Sequence, residues 1–216
     1  MRLVFDLDET LVDSVPSLAA AANRMLAELE RGPVTPETYK HFVGHGMRQQ
    51  VKRVLEATGG IPGGDLRPHL ARMIEIYGAD PVTGTEPFDC VRETLDMLAA
   101  EGHGLAVCTQ KPEAQARTLL AGLALMPPVT GLTGGDTLDV LKPDPAMLRH
   151  AASQLPGDAP IVMVGDRDVD AQTAAAADVP FLHFAPTGET LTEPVAARFA
   201  HWRDFPAALA SLSLAA

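Results

Sequence analysis

Ile161-Val162-Met163-Val164-Gly165-Asp166-Arg167-Asp168-Val169-Asp170 is the stretch on which the fold turns. Four apolar residues in a row, closed by a glycine, read as a buried strand. The alanine-rich segment 169–177 reads as a helix, and the apolar run at 181–185 as another strand. Strand, helix and strand in so short a span make a βαβ unit. Such a unit implies a parallel sheet with helices across its faces.

The alternation extends backwards from there. A helix over 90–101 leads into the strand Leu105-Ala106-Val107-Cys108, and a helix over 113–121 precedes a weaker strand near 129–132. A helix over 145–155 comes next, and a last helix is expected after Pro206. At the other end Leu3-Val4-Phe5 is a short apolar strand that runs into acids. Between 15 and about 82 the period changes. Val15, Leu18, Ala22, Met25, Leu26 and Leu29 recur at helical spacing until Gly32-Pro33 stops the stripe. Helical stretches around 37–43, 47–58 and 66–77 follow, punctuated by Gly59-Gly60-Ile61-Pro62-Gly63-Gly64. The expected architecture is an α/β core formed by 1–14 and 83–216, with an all-helical block over 15–82 inserted after the first strand.

Composition narrows the function. The chain has 216 residues, 46% hydrophobic and 21% charged, enough to bury a sizeable core. Twenty-eight Asp and Glu against 17 Lys and Arg give a formal charge of −11. A surface this acidic repels phosphodiester backbones and anionic lipid, which argues against nucleic-acid and membrane partners. A small anionic substrate stays compatible, because local cations or a metal reverse the sign inside a pocket. Cys90 and Cys108 are too few for a disulfide framework and read as two buried free thiols in a reducing compartment. Asp6 and Asp8 interrupt the first apolar run at once, so no secretory signal is expected there, and no run is long enough to cross a bilayer. The expected setting is cytoplasmic, as a monomer or homodimer.

Open parallel sheets carry their functional groups at the carboxyl ends of strands. Those ends hold Asp6 and Asp8, then Thr109, then Asp166 and Asp170; Lys142 joins them in a Leu-Lys-Pro-Asp-Pro turn before a helix. Taken singly each is weak. Asp6-x-Asp8-x-Thr10 equally fits a polar strand end and cap, Thr109 a turn residue, and Lys142 a solvated lysine. Lys111 and Lys142 both precede proline, which biases them to extended, loop-like backbone. Taken together they make a physical argument. Residues two apart on a strand share a face, so Asp6 and Asp8 can meet one ligand. Helix-dipole compensation accounts for one or two acids at the start of a helix, but hardly for three in Asp166-Arg167-Asp168-Val169-Asp170. Several carboxylates converging on one spot repel unless a cation sits among them, and all-oxygen ligation favours Mg²⁺. A hydroxyl and an ammonium nearby suit phosphoryl oxygens. The set predicts a metal-dependent, phosphate-handling site acting on a small phosphorylated substrate.

Four segments then carry a resemblance. Phe5-Asp6-Leu7-Asp8-Glu9-Thr10-Leu11-Val12-Asp13-Ser14, Cys108-Thr109-Gln110-Lys111-Pro112, Leu141-Lys142-Pro143-Asp144-Pro145 and Gly165-Asp166-Arg167-Asp168-Val169-Asp170 resemble, in order, the four motifs of the haloacid dehalogenase superfamily. The helical block, with its Phe42-Val43-Gly44-His45-Gly46 turn, and the stretch 174–184 are most similar to the phosphoglycolate phosphatase branch. The resemblance implies a Rossmann-like core and a helical cap that closes over the site. It implies Asp6 as nucleophile and Asp8 as general acid and base, with Mg²⁺ held by Asp6, the Asp8 carbonyl and Asp166, supported by Asp170. Thr109 and Lys142 would hold the phosphoryl group. Three positions depart from the branch: Glu9 stands where Gly is usual, Gln110 where Asn is usual and Arg167 where Ser is frequent.

Asp8 favours a phosphate ester, since the superfamily's dehalogenases and phosphonatases lack a carboxylate there. A β-phosphoglucomutase-type sugar phosphomutase shares the whole core and stays open as an alternative. A non-catalytic binding module on this fold would be expected to have lost one of the chemical residues. In the cap, His45 and Arg48 are candidates to face the leaving group, Arg48 by pairing with a substrate carboxylate; the plainer reading of Arg48 is a solvated residue at a helix start. His41, His103, His150, His183 and His201 show no ligand spacing and read as structural or exposed. Trp202 reads as packing of the C-terminal segment, Met25, Met47 and Met73 as core, and Glu28 and Glu30 as a solvated helix end.

Overall fold

A computed structural model describes residues 1–43 and 46–212. The chain divides into two compact units, one made of Met1–Val12 with Pro87–Ala216 and the other of Asp13–Glu86.

The first unit is built on a parallel sheet. Its strands are β1 (Arg2–Phe5), β4 (Gly104–Cys108), β5 (Gly131–Thr133), β6 (Ile161–Gly165), β7 (Phe181–Phe184) and β8 (Ala197–Phe199), in the order β5-β4-β1-β6-β7-β8. Every pairing is parallel, and Phe5 lies opposite both Val107 and Val164. Leu3, Val4 and Phe5 are fully buried, as expected of a central strand covered on both faces. The helices α5 (Val91–Ala100), α6 (Glu113–Gly122), α7 (Pro145–Ser153), α8 (Asp168–Ala177) and α9 (Phe205–Ala210) belong to this unit. The chain leaves β1 for β4 on one side and β6 on the other, so the carboxyl ends of these three strands meet where the order reverses. That is where open α/β sheets bind their ligands.

The second unit is helical: α1 (Val15–Glu28), α2 (Pro36–Lys40), α3 (Gly46–Ala57) and α4 (Arg67–Ala79). Leu18, Ala22, Met25 and Leu26 of the α1 stripe are buried with Tyr39, Val54, Leu55, Met73 and Tyr77. The helix ends before Gly32-Pro33. Glu30 turns left-handed at φ 56, its amide donates to the Ala27 carbonyl, and the Arg31 amide reaches back to Leu26. This is a Schellman closure with glutamate where glycine is usual, so Gly32-Pro33 marked the stop but not the residue that closes the helix. Glu28 is more than a solvated end, because its carboxylate takes Nε and Nη2 of Arg72 on α4 at 2.8 and 2.5 Å.

Three elements had no sequence signal. The short strands β2 (Val12–Asp13) and β3 (Glu86–Pro87) pair where the chain passes between the units, and β8 is three residues long with Arg198 at its centre. Trp202 behaves as expected. It is buried among Phe5, Phe184, Phe199 and Phe205, with ring centroids 5.2 to 5.9 Å away. Cys108 is buried, but Cys90 is half-exposed, because it sits left-handed at φ 68 as the cap residue of α5. No helix among the described residues is long and apolar enough to cross a membrane.

Candidate active site

The three strand ends deliver the acids. After β1 the Asp6 amide still donates to Val164, and the chain then curls tightly, with Leu11 and Val12 both donating to the Leu7 carbonyl. Glu9 lies inside this curl, buried, at φ 64. After β6, Gly165 allows the turn into α8: a Cβ there would lie 2.6 Å from the Asp170 carboxylate. Asp170 in turn caps its own helix by accepting the Arg167 amide at 3.2 Å. Lys142 comes from the loop ahead of α7, whose start is fixed by Asp144 accepting the Ala146 amide at 2.8 Å.

These pieces converge. One carboxylate oxygen each from Asp6, Asp166 and Asp170 lies within 4.8 Å of the others. The Lys142 ammonium bridges two of them, 2.8 Å from Asp6 Oδ1 and 2.6 Å from Asp170 Oδ1, with its side chain 2% exposed. Thr10 Oγ1 and Arg167 Nε each donate to Asp166 at 3.1 Å. Thr109 is buried one residue beyond β4, its amide donating to Thr133 and its hydroxyl oxygen accepting the Lys111 amide at 3.1 Å.

Burial dominates the electrostatics. It pushes the Asp6 carboxyl up to about 7, with the Lys142 ammonium pulling it down and Asp170 adding to the rise. Asp166 is held well above the usual carboxylate range, by burial first and then by Asp170, against the pull of Arg167. Burial works against the Lys142 ammonium, but the Asp170 and Asp6 carboxylates outweigh it and raise its proton affinity. Two carboxylates that resist ionising beside a third are charge-starved. A hard cation with oxygen ligands is what such a donor set accommodates.

The site thus brings together Asp6, Lys142, Asp166 and Asp170. Asp8 lies in the same loop, its Oδ1 paired with the Lys111 ammonium at 2.9 Å. Asp168, the third acid of its stretch, turns to the Thr192 amide and hydroxyl at 2.7 and 2.8 Å, so its role is to anchor a loop. Arg48 is exposed on α3 in the helical unit, and His45 lies outside the described residues. Sequence reasoning missed Lys111 as a site residue, though it is a second Lys-Pro pair at a strand end. His183, read as structural or exposed, is structural: the buried ring sets Nε2 3.3 Å from the Asp166 carbonyl.

Known proteins resemble this chain in sequence and in fold. A sequence model of the haloacid dehalogenase-like hydrolases matches residues 3–184. A phosphoglycolate phosphatase of Rhodospirillum rubrum is 42% identical over 184 residues, covering 82% of this chain and 76% of that one. Among solved structures, a predicted phosphoglycolate phosphatase of Haemophilus somnus superposes with a TM-score of 0.81 at 23% identity, over 95% of this chain and 96% of the other. A candidate beta-phosphoglucomutase of Thermotoga maritima superposes at 0.71 with 20% identity, over 98% and 100%. At such identities the two structures speak for the fold alone. The sequence match over most of the chain goes further: the chain belongs to the haloacid dehalogenase-like hydrolases.

Proposed function

We propose that this hydrolase is a Mg²⁺-dependent phosphatase that cleaves a small phosphate monoester through an aspartyl-phosphate, with 2-phosphoglycolate as the substrate. The observation that carries the chemistry is the Lys142 ammonium lodged between Asp6 and Asp170, beside Asp166. The substrate rests on the Rhodospirillum relative's name and on its extent of identity.

In this reading an Asp6 carboxylate oxygen bonds to phosphorus as the ester oxygen departs, and Asp8 gives that oxygen its proton. Asp8 then takes a proton from water, whose oxygen attacks the same phosphorus and returns Asp6 as a carboxylate. Lys142 and Thr109 hold the phosphoryl oxygens, the first by charge and the second by its hydroxyl. Asp6, Asp166 and the Asp8 carbonyl, with Asp170 in support, would hold Mg²⁺. Bound there, the ion supplies positive charge to the phosphoryl group and relieves the crowded carboxylates. By the family resemblance, Arg48 and His45 are the candidates for recognising the leaving group. Two unpaired cysteines go with a cytoplasmic setting.

The test is phosphate release, with Mg²⁺, from 2-phosphoglycolate, several sugar phosphates and nucleoside monophosphates. A kcat/KM sharply highest for 2-phosphoglycolate supports the reading. Conversion between sugar-phosphate isomers without phosphate release would instead identify a mutase.

A further inference from the structure

We propose that Lys111 is a positioning residue that aims the Asp8 carboxylate at the proton it moves; the inference rests on the phosphatase reading above. Lys111 is one of two buried lysines in the first unit, and Lys142 is already engaged with Asp6 and Asp170. The Lys111 side chain is 2% exposed and its ammonium lies 2.9 Å from Asp8 Oδ1. Taking an ammonium out of water is strongly unfavourable unless a carboxylate compensates, so this pair differs in kind from a solvated one such as Lys52–Glu56, whose side chains are about half exposed.

The backbone that delivers Lys111 is fixed on both sides. Its amide donates to Thr109 Oγ1 at 3.1 Å, and its carbonyl accepts the Gly135 amide at 2.8 Å. Gly135 packs so closely that a Cβ there would lie 2.3 Å from the Gln110 carbonyl oxygen. Asp8 is the opposite case, on a curled loop with its side chain 19% exposed. A general acid must lie within hydrogen-bond reach of the atom it protonates. With Lys111 paired to Oδ1, Oδ2 is the oxygen assigned to exchange the proton. One short turn therefore sets both the Thr109 hydroxyl and the orientation of Asp8.

The experiment compares wild type, Lys111→Met and Lys111→Arg on two esters. One is 2-phosphoglycolate, whose alkoxide needs a proton. The other is p-nitrophenyl phosphate, whose leaving group needs none, followed by its burst of p-nitrophenolate so that only the first step is read. Positioned acid–base groups contribute about 100-fold or more, so Lys111→Met should lower kcat on 2-phosphoglycolate by roughly 10- to 100-fold. The burst rate should fall less than about threefold, KM should change little, and Lys111→Arg should recover part of the loss. In an Asp8→Asn background Lys111→Met should add almost nothing, because residues acting through one another are not additive. Equal losses on both esters, or a rise in KM on both, would overturn the proposal. If Lys111→Met does not fold, Lys111→Arg and Lys111→Gln carry the same comparison. A wild-type protein that releases phosphate from no ester would remove the phosphatase reading, and this proposal with it. An active wild type with parallel losses removes only the role of Lys111.

Discussion

The indole Nε1 of Trp202 donates to the Thr10 carbonyl at 3.0 Å, tying the loop that holds Asp6 and Asp8 to an aromatic cluster far along the chain. The match to the hydrolase family ends at residue 184, so this support comes from a segment beyond it. Trp202→Phe keeps a ring but leaves the buried carbonyl without its donor, a loss of about 1–3 kcal/mol. Trp202→Ala also opens a cavity, for about 3–5 kcal/mol. Urea unfolding should show midpoints falling in that order at an unchanged m-value. An unaltered midpoint for Trp202→Phe would mean that the bond contributes nothing to stability.

Glu9 is held at φ 64 with its side chain buried. The left-handed region costs a residue with a Cβ about 1–2 kcal/mol, and the Glu9 charge adds to the burial and Asp170 repulsion that raise Asp166. Glycine meets the same φ without strain. Glu9→Gly should therefore stabilise the cation-free protein by about 1 kcal/mol, seen as a higher Tm in chelator. A lower Tm would show that the contacts of Glu9 outweigh its strain.

Asp166 and Asp170 face Asp6, whereas Asp168 holds Thr192. Asp166→Asn and Asp170→Asn should each lower turnover by about 100-fold or more, the scale of losing a group that stabilises transition-state charge. Asp168→Asn should leave kcat within about threefold and cost about 1 kcal/mol of stability. Steady-state kinetics and thermal unfolding on the three variants separate these outcomes. Equal kinetic loss at Asp168 would contradict its assignment as an anchor.

Most of the sheet was legible because buried parallel strands write themselves as apolar runs, and Leu3-Val4-Phe5 and Ile161-Val162-Met163-Val164 do so without ambiguity. β8 was not, since an edge strand of three residues with a central arginine has no period to detect. The acids at the strand ends were legible from their spacing. Lys111 was not, because its side chain matters through a carboxylate more than a hundred positions away, a partner that only the adjacency of β1 and β4 supplies. Arg167 and Thr10 were quoted in the sequence, but only the folded loops show that both donate to Asp166. Glu30 shows the limit of turn signals: Gly32-Pro33 announces that the helix stops, but the residue that closes it is a left-handed glutamate that no glycine marks.

The crowding at Asp6 predicts a pH-dependent stability and, on the proposed Mg²⁺ site, a coupling of that dependence to the ion. Burial raises the Asp6 carboxyl to about 7 in the cation-free fold, while an unfolded aspartate titrates at about 4. Between those values the folded state keeps a proton that the unfolded state has lost, so stability falls as pH rises from about 4 to about 7 and then levels. Mg²⁺ bound among the carboxylates would remove the penalty of ionising them. The rise in Tm on replacing chelator with Mg²⁺ should therefore be larger at pH 8 than at pH 5, where protons compete for the same oxygens. Asp6→Asn removes the titrating group, so in chelator its stability should decline less steeply across that window than wild type's, and its Mg²⁺-induced shift should depend less on pH. Thermal unfolding of both proteins, with Mg²⁺ and with chelator, at pH 5, 6, 7 and 8 measures all of this. A Mg²⁺ shift in the wild type that is the same at every pH would mean that the ion does not bind at Asp6.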